Sequence, residues 1–177
     1  MRINEFTTQG SGNHPDAVEL VALSAGNLAG VVVYEGTPED WSERIVLPSV
    51  TVGVGDFVVI HFRPENLPEE VNESSAKDES GGLDASDEAW DFWVAEGNGL
   101  PGNNGAIVVC ENPGGAVLDA VLYSNRSSES DDRYRGFGTS RLLSQAEELA
   151  SIGAWSSSGP TVQPEDAIQP DQSTATR

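Results

Sequence analysis

The chain has 177 residues and a formal net charge of −20, from 29 acidic against 9 basic side chains. A field of that sign repels phosphate backbones and anionic lipid, which argues against nucleic acid as a partner and leaves cations, cationic peptides or nothing as charge partners, with solubility the simpler role of the acidity. The single cysteine, Cys110, excludes an intrachain disulfide, and no apolar run approaches the ~20 residues of a membrane helix, so no membrane insertion is expected.

Arg2–Thr8 alternates as a first strand, and the turn-rich Gln9–Pro15 leads to a second over Asp16–Ser24. Leu28–Glu35 and Arg44–Leu47 are short runs separated by the turn-like Gly36–Asp40. Val50–Val54 passes through Gly55-Asp56 into Phe57–Phe62, the strongest strand signal in the chain. A strand signal roughly every ten residues, with no helical period among them, indicates an all-β sandwich.

Arg63–Glu88 breaks the pattern with prolines, glycines, serines and many carboxylates, and is expected to be a long solvated excursion returning near residue 89. Trp90–Val94 then re-enters the fold. Leu100–Tyr123 reads as a β-hairpin, with Ala106–Glu111 and Val117–Tyr123 joined through Asn112-Pro113-Gly114-Gly115. Ser124–Gly138 is polar. Ser144–Ile152 is expected to be the one helix, with Ser144 and Glu147 in capping-box spacing, Ala146, Leu149 and Ala150 buried, and Gly153 ending it. Trp155 pins this segment to the body, and residues 156–177 form an extended tail that Ile168 could anchor.

Several residues invite a chemical reading. Asp84, Asp87 and Glu88 belong to the densest carboxylate cluster and are calcium candidates, although the run lacks the alternating spacing of an EF-hand loop. No other cofactor is expected. Trp90 and Phe92 should share the core face, which leaves Trp93 as the exposed member and a candidate ligand surface for sugar or peptide. His61 should face outward or be hydrogen-bonded, and His14 lies in a loop. Neither histidine accompanies a G-x-S-x-G elbow, so no catalytic residues are assigned and no enzyme activity is expected. Glu5 and Glu19 fall at matching places on two strands that could be neighbours, where backbone hydrogen bonding is the simpler role than cation binding. Cys110, inside an apolar run, reads as a small buried hydrophobe. Gly97–Gly105 is glycine-rich but lacks the strand–glycine–helix setting of a phosphate cradle.

Arg2–Phe6 followed by Asp16–Leu20 resembles the opening I-N-E and D-x-x-E-L strands of lamin-tail domains. Leu28-Ala29-Gly30, Val54–Ile60, Leu100–Ile107 and Gly115–Tyr123 are similar to later motifs of that family, in the same order, over about residues 2–124. Val31 stands where an aromatic is usual, and the acidic excursion is longer than the pattern needs. The resemblance implies an immunoglobulin-like antiparallel β-sandwich over 1–124 with a C-terminal extension, 125–177, packed on it. It also implies a non-enzymatic interaction or structural module of a bacterial surface or secreted protein, whose partner is a protein or cell-surface component. A calcium-dependent binding module and an accessory domain of a secreted hydrolase or nuclease are the alternatives. Met1-Arg2-Ile3-Asn4 lacks a basic-then-apolar secretory pattern, leaving either a cytosolic chain or one already processed.

Overall fold

The computed structural model describes residues 1–8, 15–156 and 159–160, so His14 and nearly all of the expected tail, Ile168 included, lie outside the described residues. Ten strands and one helix follow in chain order: β1 Arg2–Thr7, β2 Ala17–Val21, β3 Gly26–Asn27, β4 Val32–Gly36, β5 Trp41–Val46, β6 Thr51–Val52, β7 Phe57–His61, β8 Ala89–Trp93, β9 Asn104–Cys110, β10 Val117–Ser124 and α1 Ser140–Ser151. They build two four-stranded sheets, β1-β2-β7-β8 and β10-β9-β4-β5, with a two-stranded β3-β6 ribbon beside them. The all-β sandwich with one C-terminal helix is the architecture that the strand spacing predicts. One ladder departs from the antiparallel expectation: β7 and β8 run parallel, with His61 opposite Trp93. A parallel pair needs a long crossover, and residues 62–88 supply it.

The core between the sheets takes alternate residues from each strand. Val18, Leu20, Val58, Ile60, Trp90 and Phe92 meet Val33, Ile107, Val109, Val121 and Tyr123. Trp90 and Phe92 therefore share the inner face, as period-two alternation requires. The predicted hairpin forms as β9 and β10, antiparallel, with Glu111 N donating to Ala116 O at 3.0 Å across the turn.

A second apolar cluster lies on the far side of the β10-β9-β4-β5 sheet, where Val32, Tyr34, Val108, Cys110 and Leu122 pack against Phe137, Leu142, Ala146, Leu149 and Trp155. This is why β4 and β9 read as continuous apolar runs: both of their faces are covered. Burial pushes the Cys110 thiol up to about 11, with Glu148 adding to the shift, so it is an inert core side chain.

The helix begins a turn earlier than the Ser144–Glu147 spacing suggests. Thr139 is its N-cap, and its hydroxyl accepts from Leu142 N at 3.1 Å. Ser144 is an exposed mid-helix residue, and Ala150 is exposed where burial was expected. Ala146 and Leu149 are buried, Gly153 ends the helix at φ +75°, and Trp155 packs into the second cluster. The helix is tied to the β4–β5 turn, with Thr37 Oγ1 donating to Glu148 Oε2 at 2.6 Å and Arg141 reaching both Glu35 and Asp40.

Residues 63–88 correct the sequence reading most. The excursion is irregular and mostly exposed, as expected, but it is tied down as a coat over the outer face of β7 and β8. Asn72 Oδ1 accepts from Trp93 N at 2.7 Å, Glu73 Oε2 accepts from Asp91 N at 2.8 Å, and Glu73 N donates to Asp91 O at 3.2 Å. Lys77 closes the coat by donating to Asp56 Oδ1 and to Glu88 O. Three of the carboxylates that made the stretch look solvated, Glu70, Glu73 and Glu79, are acceptors that fold it.

Candidate functional site

The coat encloses a buried polar group. His61 and Asp91 have no exposed side-chain surface and share a 2.6 Å contact from Nε2 to Oδ1. Ser86 N donates to the other Asp91 oxygen at 2.9 Å, and the Trp93 ring stacks on the imidazole at 3.8 Å between centroids. Trp93 is 6% exposed, and its indole N–H donates to Ser80 Oγ at 2.9 Å. The expected ligand surface at Trp93 is therefore not there: its outward side is covered by residues that looked like solvent-facing loop. Burial raises the pKa of Glu73, against the lowering effect of the amides of Asp91 and Ser80. His61 Nδ1 is buried without a hydrogen-bond partner among the described residues. These groups hold the coat to the sheet.

The other sequence candidates separate as follows. Asp84, Asp87 and Glu88 are exposed, and among the described residues no three histidine, cysteine or carboxylate side chains converge into a group that could hold a metal ion. Calcium needs six to eight oxygens brought together, which this spacing does not supply. Glu5 and Glu19 do stand opposite one another on β1 and β2. Burial, then the neighbouring Glu19 charge, raises the pKa of Glu5, and Asn4 Nδ2 donates to Glu19 Oε1 at 2.5 Å.

A cleft of about 660 Å³ opens at the outer edge of β5. One wall is Glu35 of β4 with Trp41, Ser42, Glu43 and Arg44 of β5, and the other is the chain leaving β8, residues 94–96 and 98–101. Asp16 positions that second wall, its Oδ2 accepting from Leu100 N at 2.7 Å. The glycines of the wall are there for close approach. A Cβ on Gly97 would stand 2.3 Å from Phe62 O, and one on Gly99, at φ +94°, would stand 2.5 Å from Asp16 Oδ2. The Gly97–Gly105 enrichment is thus a packing requirement and not a phosphate loop.

The cleft is acidic and carries an exposed aromatic. Trp41 is 42% exposed, whereas Trp90, Trp93 and Trp155 are at most 9% exposed. The Arg44 guanidinium lies 4.5 Å from the Trp41 ring centroid. Glu35 is satisfied by Ser42 N and by Arg141. Glu43 is not: Oε1 accepts from Asn98 N at 2.7 Å, but Oε2 is buried with no hydrogen-bond partner among the described residues. Glu96 lines the same cleft from an exposed position at φ +57°.

A family model described as "protein second domain" matches residues 1–177. The chain belongs to that family. An "Uncharacterized protein" of Treponema pallidum (strain Nichols) is 34% identical to this second-domain chain over 126 residues, 71% of the chain. The chain spans about a third of that relative's length, 32%.

Sequence reasoning passed over Trp41 and Glu43. It placed the strand at Arg44–Leu47 and left Trp41-Ser42-Glu43 beside a turn. The signal was a tryptophan in a polar run with no apolar neighbour, a residue the core had no evident use for.

Proposed function

We propose that the chain is a non-enzymatic interaction module that binds a cationic protein segment in the cleft along β5. The observation that carries this reading is Glu43 Oε2, unpartnered among the described residues, in a cleft that the exposed Trp41 and Glu96 also line. A buried carboxylate oxygen without a donor is costly, and an ammonium or guanidinium group supplies the missing donor. The net charge of −20 draws such a partner in. The lamin-tail resemblance of residues 2–124 supports the same class of function, an interaction module of a bacterial surface or secreted protein.

The experiment is a titration of tryptophan emission with a short lysine-containing peptide and its glutamate counterpart. The buried tryptophans give a constant background, so the response reports Trp41. A saturable change is expected with the lysine peptide alone, weakened by salt, reduced in Glu43→Gln and absent in Trp41→Phe. No saturable response to lysine or arginine peptides at low salt would reject the reading.

A further inference from the structure

We propose that the cleft takes its partner as an added β-strand, an extended segment that pairs with the outer edge of β5 and lays a lysine or arginine against Glu43 and Glu96. The proposal rests on the interaction-module reading and says how the partner is held.

Four ends of sheet need finishing in this sandwich, and three are finished. β8 is closed by Asn72 and Glu73 of the coat. β1 and β10 lie against each other, with Ile3 N donating to Asp119 Oδ2 at 2.9 Å. β5 ends the β10-β9-β4-β5 sheet, and among the described residues no backbone hydrogen bond joins its outer side. An exposed row of backbone donors and acceptors is a template for another strand.

The cleft lies beside this edge. Its lining takes Trp41, Ser42, Glu43 and Arg44 of β5, where a bulge opposite Glu35 breaks the alternation of side chains, together with Glu35 of β4 and the chain leaving β8. A strand needs about 4.8 Å beside its neighbour, and the six residues of β5 give an edge of ~20 Å, enough for five or six residues of partner. The charge selects the partner. Glu43 offers an oxygen without a donor, Glu96 is exposed, and the one cation in the lining, Arg44, lies over the Trp41 ring.

The test uses a ten-residue peptide of alternating threonine and valine with one central lysine. Two further versions carry N-methyl groups on alternate residues, one along each edge, and a fourth has glutamate for the lysine. Trp41 emission reads affinity, and hydrogen exchange reads the amides of Trp41–Val46. The lysine peptide is expected to bind and to slow exchange along β5. Methylation of one edge should weaken binding at least tenfold, while methylation of the other changes it less than about twofold, because only one edge of an added strand faces β5. If both methylated peptides bind as well as the parent, strand addition is wrong while the cation-binding cleft stands. Failure of every lysine peptide to bind rejects both. Equal binding of the glutamate peptide, with protection of β5, overturns the charge selection.

Discussion

β8 and β5 end their sheets on the same flank of the sandwich and are finished in opposite ways. The edge of β8 is sealed by a long acidic insertion whose side chains take its amides one by one. The edge of β5 is bare, flanked by the chain that leaves β8 and by an exposed tryptophan. Open edges invite unwanted pairing, and proteins blunt them unless the edge has a use. This chain covers one of these edges with a long insertion and leaves the other without a backbone partner among the described residues, beside a cleft.

The largest effect should follow from removing the guard. Replacing residues 63–88 by a flexible crossover of about a dozen residues, long enough to keep β7 and β8 parallel, uncovers Trp93, which at ~25 cal/mol per Å² over about 150–250 Å² costs about 4–6 kcal/mol. That is most of the ~5–15 kcal/mol a domain holds, so thermal melting should show a large loss and gel filtration should show self-association along the exposed β8 edge. A soluble monomer of unchanged stability would mean that the coat is dispensable and the contrast with β5 is empty.

A smaller effect separates covering a face from covering an edge. The helix covers the outer face of the other sheet through apolar contact and seals no edge. Leu149→Ala should therefore cost about 3 kcal/mol in denaturant unfolding without promoting self-association. Aggregation on the scale of the coat deletion would show that the two coverings do the same work.

The smallest effect lies within the coat. Glu79 takes hydrogen bonds from the hydroxyls and amides of Ser74 and Ser75, which hold its carboxyl at about 2, below the ordinary 4.5. A lowered folded-state value stabilises the fold above pH 4.5, and that stabilisation is lost as pH falls from 4.5 toward 2. Glu79→Gln should melt slightly below the parent at pH 7 and coincide with it near pH 2. A difference independent of pH would separate the coat's turn from this carboxylate.

The contrast between the two coverings also explains what could be read from the residues. The strand spacing, the β9–β10 hairpin and the packing of Leu149 and Trp155 were legible because apolar periodicity reports burial directly. The coat was not, because Glu70, Glu73 and Glu79 fold it as hydrogen-bond acceptors, and a carboxylate accepting from backbone looks in sequence like one facing water. Trp93 was misplaced for that reason: its alternation with Phe92 correctly turned it away from the core, and nothing in the pattern announced a second cover. The parallel pairing of β7 and β8 was hidden by the same segment, since a crossover without a helix resembles a loop. The cleft depends on which edges are left uncovered, a property of the assembled sandwich and not of any single stretch.

Hydrogen exchange of the free protein, resolved by residue, tests the open edge most directly. The amides of β5 that point away from β4 should exchange within seconds, except that of Ser42, which donates to Glu35, while the amides of Asp91 and Trp93 on β8 stay protected by Glu73 and Asn72. Protection of every β5 amide to the level seen on β8 would mean that the edge is already occupied, and would contradict the account.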